Sequence, residues 1–491
     1  MDGPVTRLRA RGGSPADSAA STPLSESRSL STTPSKSSSS TSLSSMGEDA
    51  AKKVPLLDTL GNEFEPPNYT IKDIRDAIPA HCFKRSAIRG LGYVARDMIC
   101  LAGNFYLFNN HIIPALSDFH PLVRAVAWGA YSVLQGFFGT GIWVLAHECG
   151  HQAFSESKVI NDTVGWILHS ALLVPYFSWK ISHGKHHHAT GNMQRDMVFV
   201  PKTRSEYSRR FVGIGRDVSE LTEETPIATL THSLLQQLFG WPMYLWTNVT
   251  GHNYHSRQRE GRGHGKQNGY FKGVNHFNPS SPLYEAKDAK LILLSDIGVG
   301  LTCYALYLAS QTWGAANIAL WYGIPYLWVN HWLVAITYLQ HTDPTLPHYQ
   351  PEAWNFPRGA AATIDRDFGF VGRHLLHGII ETHVAHHYVS TIPFYHADEA
   401  TEAVKKVMGK HYRADTRGGA FGFLKAMWTA ARWCQFVEPS RGATGEGQHI
   451  LFFRNRNGLG VPPMPVEEYV PNEKELENEV LLGMRKEANY P

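Results

Sequence analysis

The chain contains no C-x-x-C pair, and its five cysteines (Cys82, Cys100, Cys149, Cys303, Cys434) are odd in number and scattered. That argues against a disulfide framework and against a cysteine-based metal site. Charge is also scarce. Asp, Glu, Lys and Arg make up 18% of the residues, below the usual quarter, and the formal net charge is only +3. No basic surface of the kind that binds nucleic acid is implied. A secretory apolar core is missing from the N-terminus, so the first residues are not a signal peptide. Residues 1–55 are instead rich in Ser, Thr and Pro without apolar periodicity and are expected to be disordered. The charged segment 463–491 is expected to be a loosely ordered tail, which leaves 56–462 as the folded domain. What is abundant is aromatic residues, 12% with 13 Trp, and histidine, 26 in all. Low charge with many aromatics suits a membrane protein with interfacial belts.

Apolar runs place the candidate spans. Ala125–Ala146 has no charged residue and is long enough to cross a bilayer as a helix. Met98–Leu116 is weaker, interrupted by Asn109, Asn110 and Pro114, and a short connection makes the two a helical hairpin. Leu291–Trp313 and Ala316–Leu339 form a second pair, with Asp296 near the entry end of the first of them. Thr163–Phe177 is too short to span and reads as re-entrant or interfacial, and Ile227–Val249 as a partial span. Tyr69–Arg89, ahead of the first hairpin, suits a surface-lying segment. The basic residues before that hairpin (Lys72, Arg75, Lys84, Arg85, Arg89, Arg96) put the N-terminus in the cytosol.

The histidines are grouped. His147 and His151 in AHECGHQ are spaced H-x-x-x-H; His183, His186 and His187 are spaced H-x-x-H-H, and so are His383, His386 and His387. On a helix, positions i, i+3 and i+4 share a face, so each group can aim its imidazoles at one point. Eight imidazoles exceed the needs of one tetrahedral zinc and suit two metal ions sharing a site, although ligand type alone does not choose among iron, copper, nickel and zinc. A shared site requires every group to lie on one side of the membrane. With four full spans, and with 163–177 and 227–249 not crossing, all of them face the cytosol.

Rival readings explain less. An intramembrane zinc protease accounts for HECGH and leaves the other groups unemployed. A ferritin-like di-iron protein needs a second helical E-x-x-H, and the only other match, Glu446–His449 in ATGEGQHI, is not helical in character. A metal transporter places its ligands within the bilayer rather than at its edge. His252, His255, His264 and His276 read as loop residues at the surface or in hydrogen bonds, His188 points off the face of its group, and His331 reads as a packing residue.

The segments HECGHQAFS, DTVGWILHSALLVPYFSWKISHGKHH, WTNVTGHNYH, HFNPSSPLYE, LVAITYLQHTDPTLPHY and HVAHHYVSTIPFYHADEA resemble the membrane fatty acyl desaturases with three histidine boxes, and most closely the fungal delta-12 (oleate) group. The resemblance runs from about Leu56 to Pro462. It departs at the triple histidine His186–His188, where relatives often have Lys at the third place. It implies an all-α integral membrane protein of the endoplasmic reticulum. Four transmembrane helices in two hairpins would carry a cytosolic helical cap, with both termini cytosolic. It also implies a centre of two non-haem irons held by His147, His151, His183, His186, His187, His383, His386 and His387, with His341 in TYLQHTDP as a ninth ligand oriented by Asp343 or Gln340. No catalytic residue beyond the ligands is implied, and Glu148 is left at most a supporting task. The implied reaction uses O2 and two electrons from cytochrome b5 and its NADH-dependent reductase to convert oleoyl to linoleoyl chains, on phospholipid. An omega-3 or bifunctional desaturase and an oleate 12-hydroxylase share the same pattern. No HPGG haem motif is present, so the electron donor is a separate protein.

Overall fold

Polar caps start the first four helices. In the computed structural model, which describes residues 54–209, 225–251 and 273–469, Thr70 and Asp73 form a capping box at the head of α1 (Ile71–Ala77). Ser86 caps α2 (Ala87–Leu107). The far half of the run Met98–Leu116, where Asn109, Asn110 and Pro114 read as interruptions, stays helical beyond α2 through a wide turn at Phe108–Ile112 and on to Ala115. The two asparagine amides donate back to the Phe105 and Tyr106 carbonyls, so they satisfy the helix rather than break it. α3 (Pro121–Gly150) has 30 residues, about 45 Å of helix. It forms the expected hairpin with α2, stitched by Asn104 Nδ2 to the Tyr131 carbonyl at 3.3 Å and Gln135 Nε2 to the Leu101 carbonyl at 3.2 Å.

The stretch read as one short re-entrant segment is a corner between two helices, α4 (Lys158–Ala171) and α5 (Tyr176–His187). Leu173 at the corner has a φ of 56°, and Pro175 precedes α5, where its missing N–H costs nothing. α6 (Pro226–Thr247) follows, with Pro242 inside it, then α7 (Ala289–Trp313) and α8 (Ile324–His341). Gly314, at φ 86°, closes α7. Among the described residues one stretch, Ala286–Trp313, is long and apolar enough by itself to cross a membrane. α3 has the length, but Ser132, Gln135 and Thr140 dilute its apolar character.

α3 and α8 meet closely because glycine lets them. A Cβ on Gly136 would lie 2.3 Å from that of Trp328, and one on Gly139 would lie 2.8 Å from a Val329 methyl. Small residues that let a neighbouring helix approach closely in this way are how helices associate where water supplies no drive. Three more helices complete the cap: α9 (His383–Tyr388), α10 (Phe394–Met408) and α11 (Gly419–Trp433). The largest buried cluster includes Trp143, Trp179, Trp241, Trp332, Leu339 and Phe423, and so joins α3, α5, α6, α8 and α11.

The fold is mostly helical, not all-α. Leu56–Leu57 pairs antiparallel with Glu63–Phe64, and Asp365–Arg366 pairs parallel with Ala414–Asp415. Ile450–Arg454 is the central strand of a three-stranded antiparallel sheet, between Pro347–Tyr349 and Phe436–Pro439, in register Pro347–Phe452 and Val437–Phe453. Two boundaries differ from expectation. Within Tyr69–Arg89, Ile74, Ile78 and Cys82 are buried in a cluster with Ala400, Val404 and Met408 of α10, so this segment packs on protein as well as lying at a surface. At the other end Glu438 accepts from the Met464 N–H at 2.7 Å, which keeps the chain docked past 462; residues 470–491, like 1–53, lie outside the described residues.

Candidate metal centre

Each histidine group lies at a helix end, and the ends converge. His147 is in the last turn of α3 and His151 caps it. Their Nε2 atoms are 3.2 Å apart, as one helix face requires. The last turns of α5 carry His183 and His187, with Nε2 atoms 3.1 Å apart, and His183 Nε2 lies 3.0 Å from His147 Nε2. His386 of α9 completes this set: the donor atoms of His147, His151, His183, His187 and His386 all lie within 4.8 Å of one another. Beside it His186, His341 and His387 form a second set by the same measure. His341, the last residue of α8, places its Nε2 3.3 Å from that of His186 and 3.2 Å from that of His383, which brings His383 into the second set. All nine histidines expected from the sequence are therefore together, five around one point and four around another. The core indoles floor the site: Trp179 stacks on His183 at 4.4 Å between ring centroids and Trp143 on His147 at 5.6 Å.

The arrangement calls for cations. Seven of the nine are buried, His151 and His183 are partly so, and none of the opposed Nε2 atoms faces a carboxylate. His386 Nε2 and His387 Nε2 are buried without a hydrogen-bond partner among the described residues. Burial pushes His147 down to about 3. His151, His183, His187, His341, His383, His386 and His387 move the same way, through burial first; neighbouring imidazoles add to it in each. These eight rings thus favour the neutral form, and neutral imidazole is the form that ligates metal. Neutral rings packed nitrogen to nitrogen gain little from one another, whereas a metal ion at each point would accept every lone pair. The donor set fits a pair of ions of the iron, copper, nickel or zinc class.

Partners behind the rings fix which nitrogen points inward. Asp196 accepts from His186 Nδ1 at 2.9 Å, which leaves Nε2 free for the centre. His387 Nδ1 lies 3.1 Å from Thr190 Oγ1, which itself donates to the His186 carbonyl at 2.7 Å; the imidazole is then the donor and its Nε2 is again the free nitrogen. Sequence reading missed both residues. Thr190 stands four after His186 and had a helical signal; Asp196 lies in a turn with none. The expected supports of His341 are corrected. Gln340 turns about a quarter of the way round the helix and donates to the Ile379 carbonyl at 2.7 Å. Asp343, beyond the helix end, pairs with Arg366 at 2.9 Å.

Glu148 lies behind the first set, its Oε1 3.8 Å from His147 Nδ1 rather than at the Nε2 side. Its Oε2 accepts the Phe394 N–H at 3.0 Å, and burial pushes its carboxyl up to about 8. It ties α3 to the start of α10, a structural task rather than that of a hydrolytic base. Other histidines fall outside both sets. His188 is exposed and His331 packs between Trp328 and Trp332. His276 is buried rather than at the surface, 3.0 Å from Ser182 Oγ on the back of α5. His252, His255 and His264 lie outside the described residues. Glu446–His449 is a short 3-10 turn, not a non-helical stretch, and Glu446 is engaged by Arg358. A small cleft lined by Val144, Glu148, His377, Ala385, Val389 and Phe394 includes His386 of the first set in its wall.

A family model described as fatty acid desaturase matches residues 124–418, and a domain of unknown function (DUF3474) matches 19–104. An oleate hydroxylase of Claviceps purpurea is 60% identical over 88% of this chain and 92% of its own length. A delta(12) fatty acid desaturase of Mortierella isabellina is 49% identical over 76% of this chain and 90% of its own. An omega-6 fatty acid desaturase, endoplasmic reticulum, of Brassica juncea is 41% identical over 83% and 95%.

Proposed function

The chain belongs to the fatty acid desaturase family and is an oxidoreductase, and from that premise we propose that it is a di-iron delta-12 desaturase of oleoyl chains in the endoplasmic reticulum membrane. The observation that carries the reading is the meeting of nine imidazoles at two points, beside a cleft whose lining includes His386. His147, His151, His183, His187 and His386 would hold one iron, and His186, His341, His383 and His387 the other. Irons held there would supply the reduction of O2 to an oxidant strong enough for an unactivated C–H bond. The protein does the rest. Val144, Ala385 and Val389 give the acyl chain an apolar wall, and packed indoles keep water from the ligand face. Asp196 and Thr190 hold the rings in register.

Desaturation takes two hydrogens from adjacent carbons; with O2, two electrons and two protons it leaves a cis double bond and two waters. The electrons come from cytochrome b5 and its NADH-dependent reductase. Hydroxylation at carbon 12 is the second reading, favoured by the 60% identity to a protein named oleate hydroxylase. It consumes the same O2, electrons and protons, and releases one water because the other oxygen stays on the chain. Expression in a yeast that makes only monounsaturated chains decides between the two readings. Linoleate is the expected new product; ricinoleate in its place, or an unchanged profile, overturns the delta-12 assignment.

Four spans in two hairpins, with both termini and all boxes cytosolic, complete the proposal. The support is that the box-bearing ends of α3, α5, α8 and α9 all meet, which requires an even number of crossings between them. Glycosylation tags read the topology. A tag at the Trp313–Asn317 turn is expected to be modified, and one near residue 265 unmodified; the reverse pattern contradicts four spans.

A further inference from the structure

A second group of metal-binding side chains lies away from the histidine centre. The 3-10 turn Ala80–Phe83, between α1 and α2, packs on α10, and the contact brings four different donors together: His81, Cys82, His396 and Glu399. Their ligand atoms all lie within 4.8 Å of one another. His81 Nε2 is 2.7 Å from Glu399 Oε2 and 3.7 Å from Cys82 Sγ, and its ring meets that of His396 edge-on at 5.6 Å. His396 and Glu399 are i and i+3 on α10, so one helix face presents both.

We propose that His81, Cys82, His396 and Glu399 form a second metal site, for one zinc-class divalent cation. One thiolate, two imidazoles and one carboxylate make a four-donor set of the kind tetrahedral zinc takes. The thiolate and imidazoles favour such an ion over magnesium or calcium. Cys82 approaches from the buried side while His81 and Glu399 are half exposed, so an ion can enter from solvent and be closed off beneath. The simpler account is a surface His–Glu pair beside a cysteine that packs with Ile74 and Ile78. It leaves the convergence of Cys82 and His396 on that pair without a role. A cation here would clamp the segment ahead of α2 onto α10, whose Phe394, Ala397 and Ala400 line the cleft beside His386. The proposal rests on these four side chains and not on the iron assignment.

Cobalt(II) separates this site from the histidine centre, because that centre contains no thiolate. Full-length protein, purified in detergent with its native metal and freed of loosely held ions, is titrated with Co2+. A thiolate-to-cobalt charge-transfer band in the near ultraviolet is expected to saturate at about one equivalent and to be displaced by Zn2+. Cys82→Ser should lose the band while keeping the iron content of the parent, and Cys149→Ser should keep the band. His396→Asn and Glu399→Gln, both at more accessible positions, should weaken the titration even if Cys82→Ser folds poorly. Absence of the band from the parent protein, or a band unchanged in both His396→Asn and Glu399→Gln, overturns the proposal.

Discussion

Replacing either His183 or His386 by alanine should abolish the fatty-acid product, to below about a hundredth of the parent level, with membrane abundance close to normal. The two rings belong to the set around His147 and His151, and each supplies a nitrogen that nothing else in the set can replace. Removing one leaves four imidazoles and an open position, and a shift of about 1 Å at a reacting centre already costs on the order of 100-fold. Glu148→Gln is the matched control. Its amide oxygen can still accept from the Phe394 N–H, so α10 should stay anchored and most of the product should remain. A zinc protease would show the opposite pattern, since it needs the glutamate as general base and has no use for His183 or His386. Fatty-acid profiles of the three variants expressed side by side check the prediction. Product retained in either histidine variant would remove that ring from the centre.

The parts legible in the sequence were those set by short-range spacing. His147/His151 and the two H-x-x-H-H groups repeat at helical intervals, which made the groups legible; that each H-x-x-H-H group aims all its rings at one point is corrected, since His186 parts from His183 and His187, and His386 parts from His383 and His387, to serve the other set. The hairpin of α2 and α3 was legible for the same reason, from apolar length and a short connection. His341 stands alone in its segment; it came from resemblance and from counting crossings, and its place beside His186 and His383 is a consequence of where α8 ends.

What was not legible depends on distant pairing or on a local exception. The three-stranded sheet joins Pro347–Tyr349 to Ile450–Arg454 across a long separation, and neither segment alternates clearly enough to announce a strand. The corner at Leu173 requires a left-handed backbone at a residue that rarely adopts it, so the apolar run 163–177 read as continuous. Asp343 was credited with holding His341 because it is near in sequence, but a buried arginine, Arg366, claims it. Burial explains that preference: a guanidinium shut away from water needs a carboxylate. Cysteine arithmetic is silent on Cys82, because it weighs pairs of cysteines and does not see one cysteine meeting a histidine and a glutamate of another helix.

His341→Gln has the second large effect and bears on how the nine rings are divided. His341 sits between His186 and His383 and is the member through which the second set is assembled. Glutamine can still cap the end of α8, so the fold should survive. The set would be left with three imidazoles, and the metal it holds should be lost on purification while the five-imidazole set keeps its own. Iron per chain, measured on parent and His341→Gln protein purified in parallel, is the most direct test of a centre built as two unequal halves. The expected result is about two irons in the parent and about one in the variant, with product lost. Equal iron and near-normal product in the two proteins would contradict it.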